Sequence, residues 1–388
     1  MNVAVIIPLW NGSAWIGQCL DSVMAQTLRP REVVVVDDGS SDGSPDIVRG
    51  YPGVLLLKNP KKGSSGARNF GLAHTSAPLV AFLDQDDLWH ETHLKLLCEV
   101  LWRVPDLPAA VASTSPFCDG ERPRFNVTHT AAEPLDPWAS YPFHGSLGLP
   151  TPSAVLMRRA ALHEVGYWDS TYLGAVDYYL WLRLSEKRRL MRLAATTVGY
   201  RQHAASQKNR LRLSDGLGYF HRKTRASADA LEHRLPWVSS QAEKAILQRR
   251  RDAALGVYSL AEAFVVCDQA GVIQAARRME TLLANESAVF RQRAFRTLAW
   301  FLGPSADAAD ESNGRTTLLN DLYQVWPPDA AHTRGTLREL LRLQKVHLFS
   351  VVTPLFLESS WPQRFAMLLR AFRRKIRALT NPSKAPFQ

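Results

Sequence analysis

Three carboxylates, Asp84, Asp86 and Asp87, fall within four positions directly after the apolar run Leu79-Val-Ala-Phe-Leu83. Carboxylates this close repel one another, and withdrawing them from water is costly unless a cation neutralises them. A divalent ion that also holds a phosphorylated ligand meets that need, because Mg²⁺ and Mn²⁺ take oxygen ligands and share them with phosphates. A solvated acidic turn capping the helix that opens near Trp89 would use the same residues. The neighbours must decide. Asp37 and Asp38 close a second apolar run, Val33-Val-Val-Val36, and Asp177 opens a predicted helix. Both have plain structural accounts as well, the first as turn formers and the second as an N-cap.

The elements that carry these acids are legible from periodicity. Val3 to Ile7, Val33 to Val36 and Leu79 to Leu83 are short apolar runs that each predict a buried strand, and Val54 to Leu57 predicts another strand. Helices are expected between them: one capped by Ser13 with Ile16, Leu20, Val23 and Met24 inward, one from about Ser44, and one opened by Gly63-Ser-Ser-Gly66. Another follows through Leu94, Leu97 and Leu101. Such alternation implies right-handed crossovers and a mainly parallel sheet. Ligands then sit beyond the carboxyl ends of the strands. The ends at Pro8-Leu-Trp-Asn11, at Asp37-Asp38 and at Asp84 to Asp87 therefore emerge on one rim, which favours the metal-site reading.

Pro, Ser and Thr thicken between Pro105 and Pro152, and a loop-rich surface segment is expected there. Order returns with Ser153 to Met157, a helix near Ala160 and a helix over Tyr178 to Leu184. Past Ser206 the composition turns to Ala, Leu, Arg and Glu with helical spacing. The expected organisation is an α/β domain over 1–210 and a mainly helical region over 211–388.

Composition narrows the class. At 388 residues with 46% hydrophobic content the chain is globular and long enough for two domains. Its formal charge of +11 favours an anionic partner. Cys19, Cys98, Cys118 and Cys267 stand far apart, which argues against a zinc ribbon, a redox pair or a secreted disulfide scaffold. The start lacks the basic and apolar regions of a signal peptide, and no apolar run is long enough to span a bilayer. A cytoplasmic location follows as an expectation.

Five ordered blocks resemble glycosyltransferase family 2, whose catalytic domain has the GT-A fold: Ile6-Ile-Pro-Leu-Trp-Asn11, Val35-Val-Asp-Asp-Gly-Ser-Ser-Asp42, Gly66-Ala-Arg-Asn-Phe-Gly71, Phe82-Leu-Asp-Gln-Asp-Asp87 and Val176-Asp-Tyr-Tyr-Leu-Trp-Leu-Arg183. The resemblance covers about the first half of the chain. It implies that Asp38 bonds the uracil of a nucleotide-sugar, that Pro8, Trp10 and Asn11 wall the base, and that Arg68 approaches the diphosphate. Gly66, Asp84 and Gln85 complete the implied nucleotide-sugar site. Asp84-Gln-Asp86 resembles the family's Asp-x-Asp, with Mn²⁺ or Mg²⁺ held by Asp86 or Asp87. His203 matches a histidine that reaches the metal or diphosphate, although a lone histidine is equally compatible with a structural role. Asp177 resembles the general base, and Val176 departs from the glutamate often found before it.

Two further patterns are set aside. His90 and His93 lack a glutamate in the register of a zinc motif and read as a solvated helix start. Gln207-Lys-Asn-Arg210 echoes a motif of processive synthases, but Leu211 stands where those have tryptophan. In Gln363 to Leu379, Phe365, Leu368, Phe372, Ile376 and Leu379 share a face amid six basic residues. That helix fits an anionic membrane surface, with a peripheral place on the inner face of the cytoplasmic membrane, or a charged helix packed on the protein. Nucleic acid is not an expected partner, since no reader motif is present. The implied activity is inverting, metal-dependent sugar transfer from a nucleotide-sugar, UDP-linked, to a glycan or lipid-linked acceptor in surface polysaccharide assembly. The rival is a catalytically silent scaffold on the same fold.

Overall fold

In the computed structural model, residues 2–141, 149–203, 206 and 216–265, with Gln274, Arg278 and Leu282, are described. The apolar runs form strands because their side chains find partners on both sheet faces. β1 (Val3–Leu9) pairs in parallel with β2 (Glu32–Asp37) and with β4 (Leu79–Phe82), and β2 pairs in parallel with β3 (Val54–Lys58). The nine-stranded sheet then turns mixed. β8 (Val155–Arg158) runs antiparallel between β4 and β6 (Ala109–Phe117), and β6 runs parallel to β9 (Leu190–Arg201). β5 (Leu88–Trp89) and β7 (Ala132–Leu135) each pair antiparallel with β9.

Side chains of β1 alternate between two cores, as the two-residue period of a strand requires. Val3, Val5, Ile7 and Leu9 pack with α1 (Ile16–Met24) and α4 (His93–Arg103) on one face. Ile6 packs on the other with Phe82, Leu162 of α5 (Arg159–Val165) and Trp181 of α6 (Val176–Leu184). α2 (Ser44–Arg49) and α3 (Ser64–Ala73) complete the crossovers. Gly71 lets α3 lie close to the sheet, because a Cβ there would meet Ile6 Cγ2 at 2.6 Å and Val36 Cγ2 at 3.1 Å.

Several expectations change on contact with the fold. The segment from Pro105 to Pro152 contains β6 and β7; its small residues suit a strand only because β8 and β9 flank it. β9, the longest strand, gave no strong periodic signal, and its pairing with β6 is interrupted by register shifts. Ser13 caps nothing: α1 has no side-chain cap, and the Ser13 N–H instead donates to Asp42 Oδ2 at 2.9 Å. His93 is fully buried, stacked on Trp89 and bonded to Thr197 Oγ1 at 2.7 Å, so it is not a solvated helix start.

α7 (Gly216–Arg234) and α8 (Gln241–Val265) build a third hydrophobic cluster. Tyr141, Tyr172 and Tyr178 pack there with Ala226, Ala230 and Leu247, and the Tyr141 hydroxyl donates to Ser227 O at 3.1 Å. The described residues up to Val265 fall within one compact unit, in which α7 supplies core to the sheet domain. The basic helix over Gln363–Leu379 and the motif Gln207–Arg210 lie outside the described residues. Among the described residues no helix is long and apolar enough to cross a membrane.

Candidate active site

The carboxyl ends of β1, β2 and β4 open onto a cavity of about 560 Å³. Its walls include Pro8, Trp10, Asn11, Asp38, Arg68, Asp84, Gln85, Asp86, Asp177 and His203. Residues spread across nearly two hundred positions therefore share one space.

The β1 and β2 ends are tied together first. The Asp38 N–H donates to Leu9 O at 2.7 Å, and the Asp38 carboxylate accepts the Gly63 N–H at 2.9 Å and Asn59 Nδ2 at 2.6 Å. Asn11 takes a left-handed backbone (φ 48), and its side-chain oxygen accepts the Ser41 N–H at 2.8 Å. Trp10 stands partly exposed at the rim. Its main chain is gripped by the Gln85 amide, which accepts the Trp10 N–H at 2.7 Å and donates to Trp10 O at 3.0 Å. Gln85 thus spends its polar atoms on shaping the wall.

Arg68, on the first turns of α3, is buried. It donates through Nη2 to Asp84 Oδ1 at 2.5 Å and lies over the Trp168 ring at 4.7 Å. Gly66 is not part of the lining; a Cβ there would meet Lys61 O at 2.9 Å, so this glycine serves the close turn before α3.

Asp86 and Asp87 have opposite fates. Asp86 faces the cavity, with Oδ2 at 2.8 Å from His203 Nε2, and the His203 ring leans on Trp15 at 4.2 Å. Asp87 is 1% exposed and outside the lining. Its oxygens accept the Ser153 hydroxyl at 2.6 Å and the Arg201 N–H at 3.0 Å. Both Asp87 oxygens thus anchor the turn, and Asp86 is the acid of the pair that faces the cavity. Asp177 lies in the first turn of α6, and its Oδ1 accepts the Tyr178 N–H at 2.8 Å.

The field inside the cavity is negative. Burial pushes the Asp84 carboxyl up, Arg68 opposes this, and Asp86 and Asp177 add to the rise. Burial, Asp86 and Asp84 push Asp87 well up. The Tyr200 phenol is pushed up to about 12 by burial and by Asp87, Asp84, Asp86 and Asp177 together. Such crowding suits a cation. Among the described residues no group of three or more acids, histidines or cysteines forms a ready-made metal cluster.

Sequence reasoning missed the supports. Arg201 is 4% exposed and holds four neighbours: its N–H bonds Asp87, Nε bonds Asp86 O at 2.8 Å, Nη1 bonds Asp119 at 2.7 Å, and Nη2 bonds Gln18 at 2.8 Å. Ser153 accepts the Asp84 N–H at 3.1 Å while donating to Asp87. Neither has a local signature. The one available signal was the position of Arg201, two residues before His203.

Comparison with known proteins places this geometry. Residues 4–166 match the model of glycosyl transferase family 2. The pre-mycofactocin glycosyltransferase of Mycobacterium tuberculosis is 30% identical over 194 residues, covering 48% of this chain and 39% of that protein. Glycosyltransferase GlyA of Streptococcus pneumoniae is 35% identical over 100 residues, covering 25% of this chain and 14% of that one. The chain thus spans well under half the length of these two relatives. The crystal structure of S. aureus TarS 1–349 has a TM-score of 0.53 at 16% identity, covering 90% of this chain and 92% of that one. The same TarS segment in complex with UDP-GlcNAc gives 0.52. These structural likenesses concern the fold, a mixed, mostly parallel sheet with helices, in keeping with GT-A. The segment that matches the glycosyl transferase family 2 model, residues 4–166, thus carries the rim residues from Pro8 to Asp86 on a fold similar to that of TarS.

Proposed function

We propose that the cavity moves a sugar from a UDP-sugar to a hydroxyl of a glycan or lipid-linked acceptor, with inversion at the anomeric carbon. The observation that carries this reading is the shared cavity itself: Asp38, Arg68, Asp84, Asp86, Asp177 and His203 all line it. The TarS complex holds UDP-GlcNAc on the same fold, which supports a UDP-linked donor.

Each residue has a part. Trp10 and Asp38 receive the base and Arg68 faces the diphosphate. Asp177 takes the proton of the acceptor hydroxyl as its oxygen attacks the anomeric carbon from the side opposite the leaving phosphate. The bond to the acceptor forms as the bond to the diphosphate breaks, so no covalent sugar–enzyme species is needed.

The donor set fits Mn²⁺ or Mg²⁺. Asp84 and Asp86 offer oxygens in a cavity short of positive charge, and His203 stands against Asp86. Such ions commonly complete their shells with water and substrate phosphates. When bound, the ion would offset charge on the departing diphosphate. The setting we propose is surface polysaccharide assembly on the cytoplasmic side of the membrane, with the basic segment Gln363–Leu379 touching anionic lipid.

Thermal shift with UDP-GlcNAc, UDP and uridine, with and without Mn²⁺, tests the reading. The expected result is metal-dependent stabilisation by UDP compounds, and slow donor hydrolysis that disappears in Asp86→Ala. Absence of any nucleotide-dependent shift would overturn it.

A further inference from the structure

Trp168 is buried in the cavity wall, yet nothing about its position in the sequence ties it to donor chemistry. Three observations do. Its ring carries the Arg68 guanidinium at 4.7 Å, in the geometry of a cation–π contact. Its main chain is held at both polar atoms by one side chain: Asn69 Nδ2 donates to Trp168 O at 2.8 Å, and the Trp168 N–H donates to Asn69 Oδ1 at 3.1 Å. The turn that delivers it is unusual, since Gly166 (φ 88) and Tyr167 (φ 69) are both left-handed. A non-glycine residue in that region is uncommon and persists where surrounding contacts impose it. The ring is then fixed edge-on against Phe82 at 5.0 Å and Trp181 at 6.0 Å.

Arg68 and Asn69 are adjacent on α3, so one turn of helix supplies both the cation and the clamp that sets the platform beneath it. Arg68 is satisfied only in part. Nη2 meets Asp84, whereas Nε is buried without a hydrogen-bond partner, and so is Trp168 Nε1. Unpaired buried donors are costly, and a cavity lined by the two residues that carry them suits an oxygen-rich anion.

We infer that Trp168, clamped by Asn69, is a positioning residue that holds Arg68 where the diphosphate of the donor is received. This deepens the proposed function and rests on it. The ring restricts the long arginine side chain before the ligand arrives, so less conformational freedom is lost on binding. Trp168 itself need not touch the donor.

The test is calorimetric titration of the full chain with UDP and, separately, with uridine, in one Mn²⁺ buffer. Wild type is expected to bind UDP more tightly than uridine. Trp168→Leu should weaken UDP about tenfold and leave uridine unchanged, with Trp168→Phe between the two because its ring offers a weaker face. That order for UDP alone supports the inference, since a merely structural defect would weaken both ligands. Equal UDP affinity in Trp168→Leu and wild type overturns it, as does a parallel loss of UDP and uridine. Should Trp168→Leu fail to fold, Asn69→Ala, which removes the clamp and leaves the ring, takes its place with the same outcomes. If wild type binds no UDP at all, the donor reading falls, and this inference with it.

Discussion

The two halves of the sheet serve the cavity differently. β3, β2, β1 and β4 run parallel, and their carboxyl ends present Trp10, Asp38, Asp84 and Asp86 directly to the rim. β8, β6 and β9 are mixed in direction and reach the site mainly through buried anchors. Ser153 just before β8 and Arg201 at the end of β9 hold the Asp84–Asp87 turn in place. The first half provides groups that face a ligand; the second fixes where they point. The exceptions are α6, which brings Asp177 to the cavity, and His203, two residues past β9, which lines it against Asp86.

That contrast can be broken by separating activity from stability. Asp177→Asn should lower the transfer rate about 10³-fold, the range for loss of a general base, with the melting temperature unchanged. A large loss of stability instead would move Asp177 to the supporting class. Asp87→Ala should do the reverse of a rim substitution. It leaves the Ser153 hydroxyl proton and the Arg201 N–H without an acceptor in the interior, and should cost about 3 kcal/mol in chemical denaturation. If Asp87→Ala melts like wild type but loses metal-dependent UDP binding, the division between Asp86 and Asp87 is wrong.

His93 sharpens the contrast through pH. Burial, with a smaller contribution from His90, pushes its imidazole from 6.5 down to about 3. The unfolded chain therefore binds a proton below about pH 6.5 that the folded chain refuses, so the contribution of this group to stability falls as pH falls from there toward 3. The slope from this one group approaches about 1.4 kcal/mol per pH unit once the unfolded histidine is fully charged. Unfolding free energies between pH 7 and 4.5 should show it, and His93→Gln should flatten it. At the small end, Leu55 lies exposed on the edge strand β3, remote from every rim contact. Leu55→Lys should change stability by no more than about 0.5 kcal/mol and leave UDP binding as it was.

How far the sequence could be read follows the same division. Uninterrupted apolar runs announced β1 to β4, and in β1, β2 and β4 burial on both faces leaves no polar alternation to blur them. Their polar ends then announced the rim. β6 and β9 were hidden, since Ala109-Ala-Val-Ala followed by Ser-Thr-Ser-Pro has little strand character of its own and gains it from flanking strands. α7 looked like part of a separate helical region because its amphipathic pattern does not say which surface it covers. Its contacts with Tyr141, Tyr172 and Tyr178 answer that.

By itself, the chain of residues determined that Asp38, Asp84 and Asp86 follow apolar runs whose polar ends would share one rim. Side-chain type and local period suffice for that, since both act over a few positions. Only the tertiary structure decided that Asp86 faces the cavity while Asp87 is locked behind it, and that Gln85 grips Trp10. It also decided that a tryptophan a hundred residues from Arg68 lies under its guanidinium. Those outcomes depend on which distant groups pack nearby, and burial and pairing there set the energy of every charge.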